Sequence, residues 1–510
     1  MAGRTRVRQA TTLRAVTSSP LPAPDPGKLA ATDEIFAART TASIAPSVSY
    51  GILAGGRLVH GAGFGTFDDT GEIPGPDTVY RIASCTKSFT VTALLMLRDA
   101  GLLDLDIPIT DLIPVARLRL PTSDSPVPSV RMLMSMSAGL PTDDPWGDRQ
   151  ESLTNDEFDA VLAAGLRFVT VPGTAFEYSN LGYALLGRVV EVVSGRGYRN
   201  FVTSEVFTAA GLSSSGFDVG VNAAGGLATG YRRLDDAWQP LPFSGPGAFS
   251  SIGGIFSTVS DLTRWMQVFV DAFADDAAAT GPTGRPLLAA ASRREMQQLQ
   301  RVIPPGPGST AAGVAGYGFG LFVQHDPRYG LVVSHSGGYP GFSSHMRWHP
   351  DSGLGVVALE NATYAGVGTA VTAALDLLLD RAGAARRSAA PWPETVRAKE
   401  IVDALLVRWD DASAVALFAD NVVADEALER RRDQLAAAVS AVGGLAPSPS
   451  VVDARADRSG GRGGVVSESA AHLQWIVAGV SGRLQCEIRL NPQDPPLVQT
   501  LTVRVLDPAR

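Results

Sequence analysis

Ser84 and Lys87 stand three residues apart in the stretch Arg81-Ile-Ala-Ser84-Cys85-Thr86-Lys87-Ser-Phe-Thr90. On a helix that offset puts two side chains on one face. The amine can then hydrogen-bond the hydroxyl oxygen and, once desolvated, remove its proton. This is the chemistry of a serine nucleophile served without histidine. Lysine is otherwise nearly absent from the chain, occurring only at Lys28, Lys87 and Lys399, while arginine fills the other basic positions. Arginine could not do the work of Lys87, because it stays protonated. A four-residue Ser-x-x-Lys pattern recurs by chance, so its weight depends on what the rest of the chain places around it.

The elements that must position the pair follow from periodicity. Residues 1–28, with Pro20, Pro22, Pro24 and Pro26, read as a disordered tail, and residues 29–40 as a helix anchored by Ile35 and Phe36. Alternation then predicts strands at 47–54, 57–64 and 78–82, the third delivering the chain into Ser84. From Cys85 to Arg98 the sequence is apolar nearly all round, as in a helix buried on most sides, and Gly101 ends it. A helix starting there would hold the Ser84 backbone N–H at its positive end, where an oxyanion is stabilised. Helical patterns follow at 131–138, 155–166, 181–193 and 258–273, with a turn-rich loop at 141–148 carrying Trp146. Strand patterns return at 318–323, 331–334, 343–349 and 354–359, before a helix at 367–379.

Strands at both ends with helices between predict an α/β protein of the α+β kind. One antiparallel sheet is closed by N- and C-terminal segments, and a helical lobe is inserted at about residues 85–315. This larger unit would cover 29–390. Pro391-Trp-Pro393 marks a boundary. Residues 394–510 read as an accessory α+β domain: two or three helices within 394–443, a polar connector at 453–464, and strands at 473–478, 483–490 and 498–506. Helices followed by a meander suggest a cystatin-like or nuclear-transport-factor-like fold, through which the chain could form a homo-oligomer.

Composition narrows the function. With 45% apolar and 18% charged residues the chain of 510 residues is globular. A net charge of -8 gives it no general attraction to nucleic acid. Two distant cysteines, Cys85 and Cys486, write no disulfide framework and read as small buried thiols. Residues 1–17 are basic but lack the continuous apolar run of a secretory signal, and no stretch is long and apolar enough for a membrane span. The expected location is the cytoplasm, with no membrane partner.

Two further motifs complete the picture: Phe176-Glu-Tyr178-Ser-Asn180 and Val333-Ser-His335-Ser336-Gly337-Gly338-Tyr339-Pro-Gly341. In this order, Ser-x-x-Lys, Tyr-x-Asn and His-x-Gly resemble the serine β-lactamase-like hydrolases. That group contains class C β-lactamases, D-alanyl-D-alanine carboxypeptidases, D-amino-acid peptidases and related esterases. Leu102-Leu-Asp-Leu-Asp106 and Tyr317-Gly-Phe-Gly320 fit as well, and the resemblance spans about residues 29 to 383. It implies that Ser84 forms an acyl-enzyme. Lys87 would take the Ser84 proton or hold Tyr178 as the phenolate that does so, and Tyr178 would pass the proton to the leaving group. Asn180 would bond the substrate amide and the Lys87 ammonium. Ser84 and Gly338 would offer N–H groups to the oxyanion, with Ser336 and Gly337 in the same wall.

His335 departs from class C β-lactamases, which carry lysine there. A histidine is only partly charged at neutral pH. That weakens a β-lactamase reading and leaves ester or amide hydrolysis, on a small ester or a D-amino-acid peptide. Trp146 and Tyr339 are candidate pocket walls. His345 and His349 lie on a predicted strand, too far apart for one metal. The glycine-rich runs at 61–65 and 316–320 lack the setting of a nucleotide loop. No cofactor or metal is expected, and the partner is a small-molecule or peptide substrate. The contrasting class is a non-catalytic binding or regulatory protein on the same fold.

Overall fold

The computed structural model describes residues 24–220, 225–274, 281–306, 313–382, 390–446 and 467–506. Within them the chain divides into two units, Ser19–Arg386 and a smaller one in Arg387–Arg510. The larger is built on one eight-stranded antiparallel sheet. Its strands are β1 (Ser47–Ala54), β2 (Arg57–Gly65), β3 (Arg301–Val302), β4 (Val314–Tyr317), β5 (Phe322–Asp326), β6 (Gly330–Tyr339), β7 (Phe342–His349) and β8 (Leu354–Glu360), in spatial order β2-β1-β8-β7-β6-β5-β4-β3. The first strand of the chain pairs with the last, from Val48↔Glu360 to Leu53↔Gly355. Distant segments therefore close the sheet, as the strand pattern predicts.

Both faces of the sheet are covered, and side-chain alternation assigns each residue to one of them. On β8, Val356 and Ala358 pack with Phe36 and Tyr50 and with Val371 and Leu375. The first pair of partners comes from α1 (Pro26–Thr41) and β1, the second from the long helix Gly368–Ala382. Val357 and Leu359 join the opposite cluster with Trp265 and Phe269. Two-sided burial is why the central strands read as nearly continuous apolar runs.

Three local expectations change. Helix α1 begins at Pro26, because the Asp25 side chain accepts from the Lys28 N–H and Pro26 fits the first turn. The expected tail of residues 1–28 thus gives way to helix at Pro26, and residues 1–23 lie outside the described residues. The strand expected at 78–82 shrinks to Tyr80–Arg81, which pairs with Phe256–Ser257 apart from the large sheet. The strand expected at 318–323 is two strands, β4 and β5. The chain reverses there, with the Gly318 N–H bonded to Leu321 O at 2.8 Å and Gly320 at φ +70°.

The inserted lobe packs α2 (Lys87–Asp99), α3 (Asn180–Ser194) and α4 (Val259–Val270) into the second cluster. Every residue of α2 from Lys87 to Leu95 is buried, so the helix runs through the core. The smaller unit has four helices, Pro393–Val407, Asp411–Leu417, Asp420–Asp425 and Leu428–Ala441, then a meander of His472–Ala478, Arg483–Leu490 and Val498–Leu506. Leu484, Cys486, Ile488 and Leu490 face its core with Val402 and Leu405. The connector expected at 453–464 lies outside the described residues.

One ion pair ties α1 to β8. The Arg39 guanidinium grips the Glu360 carboxylate through both oxygens, with Nη2 2.9 Å from Oε2, and Glu360 is fully buried. Removing only the cation leaves an uncompensated buried charge. Arg39→Ala should therefore lower unfolding stability by about 3–5 kcal/mol, while the paired change Arg39→Met with Glu360→Leu should cost less. Urea unfolding followed by tryptophan fluorescence checks both.

Candidate active site

Ser84 sits in a single tight turn, Ala83–Thr86, that runs directly into α2. Ala83 before it has φ +47°, a left-handed conformation that an L-residue holds only when its surroundings impose it. The neighbouring strand supplies that constraint. A Cβ on Gly337 would lie 2.5 Å from Ile82 O and 2.3 Å from Ser344 Oγ, so β6 presses its bare backbone against the turn. Ser344 Oγ donates to Ile82 O at 2.7 Å and holds the strand end in place.

Lys87 is fully buried, and its ammonium has three acceptors: Ser84 Oγ at 2.9 Å, Asn180 Oδ1 at 2.7 Å and Ile252 O at 3.0 Å. Burial lowers its pKa to about 8, while the carboxylates of Asp144, Asp148 and Asp143 pull it upward. A substantial neutral fraction near pH 8 is what a proton acceptor beside a hydroxyl needs.

Asn180 opens α3. Asp143 caps that helix end, accepting from the N–H of Asn180 at 2.6 Å and of Leu181 at 2.8 Å. This fixes the loop after Pro141 against α3. Asn180 Oδ1 faces Lys87, and its Nδ2 donates to Asp144 Oδ1. The bond to Asp144 engages one of the two Nδ2 hydrogens of Asn180. Local patterning marks 141–148 as a turn-rich loop with an aromatic, and Asp143, Asp144 and Asp148 around Trp146 carry the signal of its charge.

Tyr178 precedes α3, with Lys87 Nζ 5.0 Å from its ring centroid. Burial and the Asp144 charge push its hydroxyl well above 10, against a lowering hydrogen bond with Ser84. The phenol is thus favoured over the phenolate that the resemblance allows. His335 is fully buried on β6, with Nε2 3.0 Å from the Tyr317 hydroxyl and Nδ1 2.6 Å from Ser336 O. Burial, then the nearby Lys87 charge, lowers its pKa to about 3, so the imidazole is neutral.

Further along β6, Tyr339 and Phe342 flank a two-residue turn and form the closing hydrogen-bonded pair of the hairpin. Gly338 beside them turns its N–H away from β7. Strand β5 pairs with β6 only as far as Ser334, which leaves that edge open. Ser336 on the same stretch is exposed. Gly337, next to Gly338, lies against Ile82 and Ala83 at the turn that carries Ser84. Trp146, on the 141–148 loop, is 44% exposed, with its ring edge-on to Phe249. Tyr339, expected as a pocket wall, is instead 2% exposed beneath the Arg81 guanidinium, 4.3 Å from its ring centroid. Strand alternation puts it on the covered side with His335 and Gly337. The wall beside Gly338 is Tyr364, whose ring would lie 2.5 Å from a Gly338 Cβ and whose hydroxyl donates to Asp148 Oδ2 at 2.8 Å. No sequence motif marked Tyr364. Among the described residues no group of three or more His, Cys, Asp or Glu side chains is placed to hold a metal ion.

Comparison with known proteins agrees with this geometry. The Beta-lactamase family model matches residues 32–381. "Penicillin-binding protein 4*" of Bacillus subtilis (strain 168) is 25% identical over 328 residues, covering 60% of this chain and 66% of that protein. The chain thus spans just under two thirds of that relative. Among solved structures, the octameric penicillin-binding protein homologue from Pyrococcus abyssi has a TM-score of 0.59 at 20% identity, covering 92% of this chain and 96% of that one. A D-stereospecific amidohydrolase from Streptomyces sp. has a TM-score of 0.55 at 24% identity, covering 69% and 98%. With a mixed α/β architecture around one antiparallel sheet and the family match over most of its length, the chain belongs to the beta-lactamase family of serine hydrolases and penicillin-binding proteins.

Proposed function

We propose that this protein is a serine hydrolase that cleaves an ester or amide, in a small ester or a D-amino-acid peptide, through an acyl-enzyme on Ser84. The observation that carries the reading is the buried Lys87 amine 2.9 Å from Ser84 Oγ with its pKa drawn to about 8. Neutral Lys87 accepts the Ser84 proton as Oγ bonds the acyl carbon. The oxyanion forms against the Ser84 and Gly338 N–H groups, each such donor being worth roughly 3 kcal/mol. The leaving group departs with a proton relayed from Lys87 through the Tyr178 phenol, and water then releases the acyl group by the reverse path. His335 acts as a neutral wall that orders Tyr317.

The accessory unit at 394–510 is proposed as a surface for self-assembly, which the similarity to an octameric homologue over 92% of this chain supports. Among the described residues no helix is long and apolar enough to cross a membrane. A cytoplasmic location remains part of the proposal.

Two outcomes test the mechanism. Because Lys87 must be neutral to act, the rate of Ser84 labelling by a fluorophosphonate should rise about tenfold per pH unit below pH 8 and level off above it. A flat profile from pH 5.5 to 9.5 would assign the base elsewhere. Mass spectrometry should show no adduct on Ser84→Ala. Lys87→Arg should lose labelling by at least about 100-fold, since a guanidinium keeps its proton; wild-type labelling in that variant would remove Lys87 from the mechanism.

A further inference from the structure

Around Ser84 the Lys87 amine and one N–H of the Asn180 amide are already engaged within the protein, and the 141–148 loop brings a carboxylate acceptor beside them. Lys87 Nζ bonds three oxygens, and the Asn180 amide is held by Asp144. Both His335 nitrogens have partners within the protein. Arg81 is buried between the rings of Phe256 and Tyr339, 4.8 and 4.3 Å from their centroids. Asp144, by contrast, is solvent-exposed, one hydrogen bond from Asn180, and its charge reaches both Lys87 and the Tyr178 hydroxyl.

Across from this loop stands Tyr364, 43% exposed, with its ring against Gly338. Its backbone has φ +48°, a strained state for a bulky residue, and its hydroxyl is fastened to the buried Asp148 carboxylate. An aromatic face and the exposed Asp144 carboxylate thus lie on the same side of Ser84, with Asp148 buried behind the ring and its pKa raised by burial to about 7. Aromatic faces and carboxylates both attract cations. Arg149, exposed on the same loop, is a cation within reach of Tyr364 and is screened by water.

We propose that the acyl side of this site receives the free ammonium of an amino-acyl group. Asp144 is its principal acceptor, and Tyr364 with Asp148 forms the wall behind it. This rests on the reading of Ser84 as an acyl-transfer nucleophile. An N-acylated substrate would lose the positive charge that Asp144 attracts, keep a single N–H and bring a carbonyl oxygen toward a carboxylate oxygen. A substrate with a carboxylate there would meet like charge.

Three matched anilides test this: alanine p-nitroanilide with a free amine, N-acetylalanine p-nitroanilide and N-succinylalanine p-nitroanilide, each as both enantiomers. Wild type should favour the free amine over the acetyl form by about tenfold or more in kcat/KM, with the succinyl form lowest. Asp144→Asn should cut the free-amine to acetyl ratio about tenfold, Asp144→Glu should restore much of it, and Asp144→Lys should turn the preference toward the succinyl substrate. A purely structural role for Asp144 would lower all three rates together and leave the ratio unchanged, which overturns the proposal. Fluorophosphonate labelling and hydrolysis of p-nitrophenyl butyrate run alongside. Labelled, esterase-active protein without free-amine preference overturns the subsite alone, and absence of Ser84 labelling overturns the acyl-enzyme reading with it.

Discussion

The withdrawal of the Lys87 amine from water is the constraint on which the rest of the site depends. A buried ammonium is costly unless every N–H finds an acceptor, and the cost falls if the group can shed its proton. Helix α2 carries Lys87 into the core, and three oxygens from three segments converge on Nζ. The three aspartates of the 141–148 loop add negative charge at a distance, so the amine stays within reach of neutral pH without being locked as a cation. Of the two strongly basic side chains, lysine can shed its proton when buried here and arginine cannot.

The second requirement is geometric. Ser84 must present its oxygen and its N–H together, and the left-handed Ala83 achieves this by turning the chain abruptly from Tyr80–Arg81 into α2. The close approach of β6 at Gly337 holds that turn, and the edge of β6 beyond Ser334 stays unpaired with β5, where the proposed mechanism uses Gly338 as the opposing donor. Strand β6 is anchored in turn by an eight-stranded sheet to which α1 is tied by Arg39 and Glu360. The reactive turn is rigid because residues far apart in sequence close the sheet beneath it.

Electrostatics gives the site its character. His335 is neutral where class C β-lactamases carry a fixed cation, and the 141–148 loop brings three aspartates near Lys87. On the proposed reading, selectivity rests on the loop around Asp144 and on Tyr364, outside the three motifs.

Local patterning by itself determined much of the architecture. Alternation located the sheet strands, a helix apolar on all sides announced α2, and three spaced motifs named Ser84, Lys87, Tyr178 and Asn180. These signals are legible because periodicity and motif spacing are properties of neighbouring residues. What tertiary structure alone decided are relations between segments that share no local pattern. The 318–323 segment becomes a reversal because Gly320 turns left-handed, and Tyr339 falls on the covered side because of its strand parity. His335 loses its charge because of what surrounds it, and the Asn180 amide turns to Asp144 because a capped helix brings that loop against it. Tyr364 reaches the site only when the last strand of the sheet ends beside the hairpin that carries Gly338. Burial, charge and hydrogen-bond partners are properties of the packed chain, and no window of sequence contains them.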